Sequence, residues 1–212
     1  MKRIGIVLTT LALAASAFGQ GAIQFQNRST SLGIFAPIYG VNPADPTHQL
    51  TGNSTTNGGA VNYGASPLLL GTGWTAALYG DASATDPNTF QLLSTAQFNT
   101  ATTLLGIIRG PTTAPLVPWV PGPANGTGNF EIRVWDNRAG AVTTWAMVLA
   151  DPTIARGRSA TLLNVPVIAA PNTPTGLNGL TSFGLFVPVP EPSLIALGAL
   201  GLGALLLRRR KA

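Results

Sequence analysis

Two kinds of apolar pattern run along this chain. Near each end lies an uncharged, mainly apolar run: Ile4–Ala15 and Leu194–Leu207. Between them the apolar residues come in short stretches with period two, the spacing of a half-buried strand. Ala22–Asn27 puts Ile23 and Phe25 on one face, with Gln24 and Gln26 on the other. Gly73–Gly80 aligns Trp74, Ala76 and Leu78. Leu104–Arg109 is a compact apolar run. Phe130–Asp136 is the clearest strand: Phe130, Ile132 and Val134 face in, and Glu131, Arg133 and Trp135 face out. Val142–Leu149 sets Trp145, Met147 and Leu149 on one side, and Asn137-Arg138-Ala139-Gly140 before it has turn chemistry. The spacing therefore predicts a hairpin. Ala160–Ile168 and Leu180–Val187 are further strand candidates.

No long stretch has helical period, and no fixed-period repeat is present. Many short strands between Gly, Pro and Asn predict an all-β ectodomain, a single β-sandwich or jelly roll, over residues 20–187. Three segments break the pattern. Gly40–Ser66, rich in Asn, Thr, Gly and Pro, reads as a long surface loop or a poorly ordered arm. Residues 111–128 carry five prolines and read as a second loop, with Trp119 as a packing lid. Pro171–Pro174 is a third break.

The two end runs carry flanking signals. Met1-Lys2-Arg3 precedes the first run, and Ser16-Ala17-Phe18-Gly19-Gln20 follows it. A basic start, an apolar stretch and small residues make a signal peptide over residues 1–19, cut by signal peptidase after Ala17 or Gly19. The second run is 14 residues of Leu, Ile, Ala and Gly. As a transmembrane helix it would measure ~21 Å, against a hydrocarbon core of about 30 Å. Snorkelling of Arg208, Arg209, Arg210 and Lys211, or local thinning, would close the gap. That basic cluster should stay cytoplasmic, and so should Lys2 and Arg3 at the start of export. Both ends then agree on one topology, with the ectodomain outside the inner membrane.

Val189-Pro190-Glu191-Pro192, the apolar helix 194–207 and the basic tail 208–211, in that order, resemble the PEP-CTERM sorting signal of Gram-negative bacteria, over residues 188–212. The resemblance implies recognition by an exosortase, a membrane cysteine protease-transpeptidase. It also implies cleavage near the motif, delivery to the cell envelope or extracellular matrix, and association with exopolysaccharide. The residue types suit a protease substrate. Pro190 and Pro192 hold the segment extended, and Glu191 is its one charge. More weakly, Phe25-Gln26-Asn27-Arg28, Ile132–Asp136 and Gly179–Phe183 resemble a group of PEP-CTERM proteins that share no established activity.

Charge adds to this picture. The net charge of +5 comes entirely from Lys2, Arg3, Arg208–Lys211 and Glu191. Residues 20–187 balance six arginines against six acids, so the basic character does not point to nucleic acid. The chain has no cysteine, which excludes disulfides, thiol catalysis and Cys-ligated metals.

Other chemistry is thin. His48, the one histidine, sits in a loop with no nucleophile elbow and no second metal ligand at a recognised spacing. Glu131 and Asp136 fall on opposite faces of one strand, which suits a solvated face and a turn better than a glycosidase pair. Asp81–Asp86 alternates oxygens but lacks the Gly and Glu of a calcium loop, so it reads as capping. No catalytic residue, metal or cofactor is predicted. Trp74, Trp135, Trp145, Tyr39, Tyr63 and Tyr79 would either pack in the core or line a sugar-binding face. Trp135 is the best glycan-contact candidate, because Glu131 and Arg133 share its face. Sequons at Asn27, Asn53 and Asn125 read as chance matches.

Overall fold

A computed structural model of the chain describes residues 21–109, 116–119, 122–123, 125–169 and 172–189. The segments expected to be the signal peptide and most of the sorting signal, residues 194–207 included, lie outside the described residues. Among those described, no helix is long and apolar enough to cross a membrane.

The described chain is all-β, with one α-helix of six residues, Trp145–Ala150. The first strands are Gly21–Gln24 (β1), Arg28–Ser29 (β2), Ile34–Phe35 (β3) and Ile38–Tyr39 (β4). Next come Trp74–Asp81 (β5), Gln91–Gln97 (β6), Leu116–Trp119 (β7) and Thr127–Asp136 (β8). Arg156–Arg158 (β9), Leu162–Pro166 (β10), Ile168–Ala169 (β11), Thr175–Gly176 (β12) and Phe183–Gly184 (β13) follow.

The larger sheet is antiparallel and centred on β8. One edge of β8 pairs with β5 over eight consecutive positions, from Trp74 opposite Asp136 to Asp81 opposite Asn129. Its other edge is shared by β10 and β9 in turn. Between them Ser159 keeps the ladder satisfied: Ile132 N donates to Ser159 Oγ at 3.0 Å, and Ser159 N donates to Ile132 O at 2.9 Å. β6 closes the far side of β5. Gly80 is required there, because a Cβ would come within 2.8 Å of the Phe130 ring.

The smaller sheet is centred on β1, with antiparallel β7 on one edge and β11 then parallel β12 on the other. β7 corrects the expectation of a loop throughout 111–128. Its Pro118 stands opposite Ala22 on an outer strand, where a missing N–H is tolerated. Trp119 crosses from β7 to the larger sheet and packs tilted on Phe130, centroids 5.0 Å apart. Ile23, Val117 and Trp119 thereby share one core with Ala76, Leu78, Phe130, Ile132 and Val134.

A second cluster covers the opposite face of the larger sheet and overturns two expectations. Val142–Leu149 does not pair with β8. Arg138, Ala139 and Gly140 all take positive φ (49°, 55° and 92°), and the chain then enters the helix. Thr144 caps that helix, accepting from Met147 N at 3.3 Å. The buried positions are Trp145 and Val148, three apart, while Met147 and Leu149 are exposed. They pack on Ala77, Tyr79 and Trp135, so nearly all of β8 is buried on both faces. Glu131, Arg133 and Trp135 are therefore not an outward face.

Other boundaries also move. Leu104–Arg109 contains the end of a 3-10 turn and one bridge, Phe98 to Ile108, instead of a strand. Leu180–Val187 keeps only β13, paired in parallel with β4. Gly40–Ser66 is a surface loop laid on the body: Gly52 N donates to Ser182 O at 2.8 Å and Gly184 N to Leu50 O at 2.9 Å.

Candidate functional site

The sorting candidates meet the described structure at Val189. Before it the chain is held at each step. Leu185 N donates to Tyr39 O, Phe186 and Arg156 exchange backbone bonds at 2.9 Å, and Val187 N donates to Pro46 O at 2.7 Å. Val189 is 62% exposed. Pro190, Glu191, Pro192 and Arg208–Lys211 lie outside the described residues, as do Ala17 and Gly19. The described chain starts at Gly21, which is already in β1 with partners on both edges.

Trp135, the glycan-contact candidate, is 1% exposed. Its Nε1 donates to Val142 O at 3.0 Å, and its ring packs tilted on Trp145 at 5.9 Å. The side chain is consumed by the second core and has no surface to offer a sugar. Trp119 and Trp145 are also buried. Sequence reasoning placed Trp135 on the correct side of the strand, but nothing local shows that a segment ten residues on folds back over it.

The same cover buries Glu131 and Arg133. Arg133 Nε donates to Glu131 Oε1 at 2.7 Å, and a second guanidinium nitrogen donates to Pro87 O. The guanidinium lies 3.9 Å from the Tyr79 ring centroid and 5.4 Å from that of Trp145. Half-exposed Arg158 reaches Glu131 at 4.0 Å. Burial raises the Tyr79 hydroxyl above its ordinary value, and the positive Arg133 beside it partly offsets this. The cluster is closed on itself: one carboxylate neutralised by arginine, and arginine held between aromatic rings. Asp136 faces away from it and binds Arg138, accepting from its backbone N at 2.8 Å. The two acids form no cooperating pair.

No protein-family model, curated protein or solved structure matches the chain.

The remaining candidates resolve into structural roles. His48 is exposed, with Asp45 3.8 Å away. Among the described residues no group of three His, Asp or Glu could hold a metal. Asp81 accepts from Ser83 N at 2.8 Å and Ala84 N at 2.7 Å, which holds its carboxyl below the usual range. Asp86 caps the 3-10 turn Pro87–Thr89. The three sequon asparagines are engaged by backbone. Asn27 is fully buried, donating to Ala36 O and Gly106 O at 2.8 Å each and accepting from Ile108 N at 2.9 Å. Asn53 accepts from Ser182 N, and Asn125 from Ala169 N. The role of Asn27 leaves no signal in the sequence, because its partners lie 9 to 81 positions away.

Proposed function

We propose that this chain is an exported bacterial envelope protein whose C-terminus is a PEP-CTERM sorting signal processed by an exosortase. The observation that carries the reading is the order Val189–Pro192, apolar 194–207, basic 208–211 behind a signal-peptide pattern. In this reading the chain is a substrate and not a catalyst. Signal peptidase removes residues 1–17 or 1–19. The 194–207 helix holds the precursor in the inner membrane, with the basic cluster on the cytoplasmic side. Pro190 and Pro192 present an extended backbone outside the bilayer, and Glu191 supplies a charge for recognition. The exosortase then passes the ectodomain to the envelope or extracellular matrix. The ectodomain itself acts as a β-sandwich, its two sheets meeting through Trp119 and Phe130.

Gly21 paired in β1, backbone bonds that hold Leu185–Val187 and an exposed Val189 accord with a protease reaching the motif beside a folded domain. Intact-mass analysis and fractionation of the native protein test the reading. Deleting residues 189–212 should abolish C-terminal processing and change the compartment, and Glu191→Ala should let precursor accumulate. An unchanged compartment for the deletion variant, together with Glu191→Ala processed to the wild-type mass, would overturn it.

A further inference from the structure

We infer that a hollow beside Tyr39 and Tyr63 binds a neutral saccharide. The hollow encloses about 360 Å³, near the lower end of the roughly 300–1,000 Å³ range of small-molecule sites. That size suits a mono- or disaccharide unit. Its wall combines the two tyrosines with Thr55, Thr56, Asn62 and Ser66, and no charged side chain lines it. Hydroxyls and a carboxamide both donate and accept, which matches the dual character of sugar hydroxyls. Leu105 and the half-buried Leu68 offer apolar surface to the C–H faces of a pyranose, beside the small exposed parts of the buried Tyr39 and Tyr63. A ligand with a carboxylate or sulfate would lose hydration there without gaining a cation.

The hollow is held in place before any ligand arrives, which lowers the entropic cost of binding. Tyr39 and Tyr63 stack face to face, centroids 3.8 Å apart and 7° from parallel. Tyr63 Oη donates to Gly52 O at 2.7 Å. Burial, then the neighbouring Tyr39, pushes the Tyr63 hydroxyl well above its ordinary value, so it remains a neutral donor. Ser54 and Val61 bridge the loop that carries the hydroxyls. A side chain at Gly59 would collide with the Asn53 backbone. The sugar contact that the sequence suggested at Trp135 thus moves to a hollow lined by exposed Thr55, Thr56, Asn62 and Leu105, with Tyr39 and Tyr63, 8% and 4% exposed, as its packed base. The inference is independent of the sorting reading, and failure of either leaves the other standing.

The test uses the full chain in detergent and saturation-transfer NMR. The neutral probes are glucose, galactose, mannose, N-acetylglucosamine, cellobiose and chitobiose at millimolar concentration, with glucuronic and galacturonic acid as charged counterparts. At least one neutral probe should bind, with both uronic acids weaker. Leu105, which also lines the hollow, is 36% exposed and tolerates a change. Leu105→Arg should abolish the signal, and Thr55→Val, at an exposed position, should weaken affinity by roughly three- to tenfold with the melting temperature unchanged. If Leu105→Arg fails to fold, Thr55→Val decides alone. No neutral probe bound by the wild type, uronic acids bound equally well, or Thr55→Val binding as the wild type does would each overturn the inference.

Discussion

Arg133 shows how one buried charge is accommodated. It has a carboxylate at 2.7 Å, a backbone carbonyl and two aromatic faces, so its desolvation is offset from several sides. Removing the carboxylate alone leaves that charge uncompensated. Glu131→Ala should destabilise the fold by about 3 kcal/mol or more in denaturant unfolding. Replacing Glu131 and Arg133 together by leucine and methionine should recover much of the loss. A double variant as unstable as the single one would show that the pair is not the cause. Asn27 is a second test of this kind. Asn27→Ala strands the Ala36 carbonyl and the Ile108 N–H inside the protein, at about 1–3 kcal/mol for each group left unpaired, while Gly106 O keeps its bond from Ile38 N.

Two turn aspartates should contribute to the acid limb of the stability profile. Thr153 donates to Asp151 from both its side chain and its backbone, lowering the Asp151 carboxyl as Ser83 and Ala84 lower that of Asp81. A depressed folded pKa means that the contribution is fully present above the unfolded value of about 3.9. It is lost as pH falls through the lower folded value. Unfolding midpoints should therefore drop below about pH 4. The double change Asp81→Asn, Asp151→Asn should flatten that drop by lowering the neutral-pH midpoint towards the wild type's acid value, with little change at low pH.

At the scale of elements, the contest between strand and helix over residues 142–150 is instructive. Trp145, Met147 and Leu149 have strand spacing, yet Trp145 and Val148 have helix spacing, and both patterns fit the same letters. The turn decided between them. Three successive positive φ angles from Arg138 to Gly140 turn the chain away from the ladder, and β9 takes the β8 edge instead. The cap at Thr144 should then matter. Thr144→Ala should cost about 1 kcal/mol and perturb the fluorescence of the packed Trp135 and Trp145. An unchanged unfolding curve would mean that tertiary packing alone holds the helix. Strand β6 was illegible for the opposite reason. It is an outer strand, largely exposed, and has no clean alternation to read.

For the whole molecule, the distribution of charge gives the proposed processing a readout. The full chain carries +5, and every part of that excess sits outside residues 20–187. Isoelectric focusing of native material should show the processed form near neutrality and the precursor strongly basic. A native protein that focuses only at basic pH would contradict removal of the ends.

What the sequence alone determined is whatever is read from contiguous residues. Period two gave the β class, since strand faces alternate whatever lies above them. The proposed tail signal likewise rests on adjacent residues, because membrane partition and protease contact would both act on a continuous stretch. The tertiary structure decided which faces are buried. Glu131, Arg133 and Trp135 alternate as a solvent-facing set should, but the 84–90 segment and the helix at 145–150 cover them. Tyr39 and Tyr63 lie far apart in the chain for stacked rings, and only the return of the 40–66 loop brings them together beside an open hollow. Burial is a property of what packs on a residue, and those partners are set by chain reversal, not by the neighbouring letters.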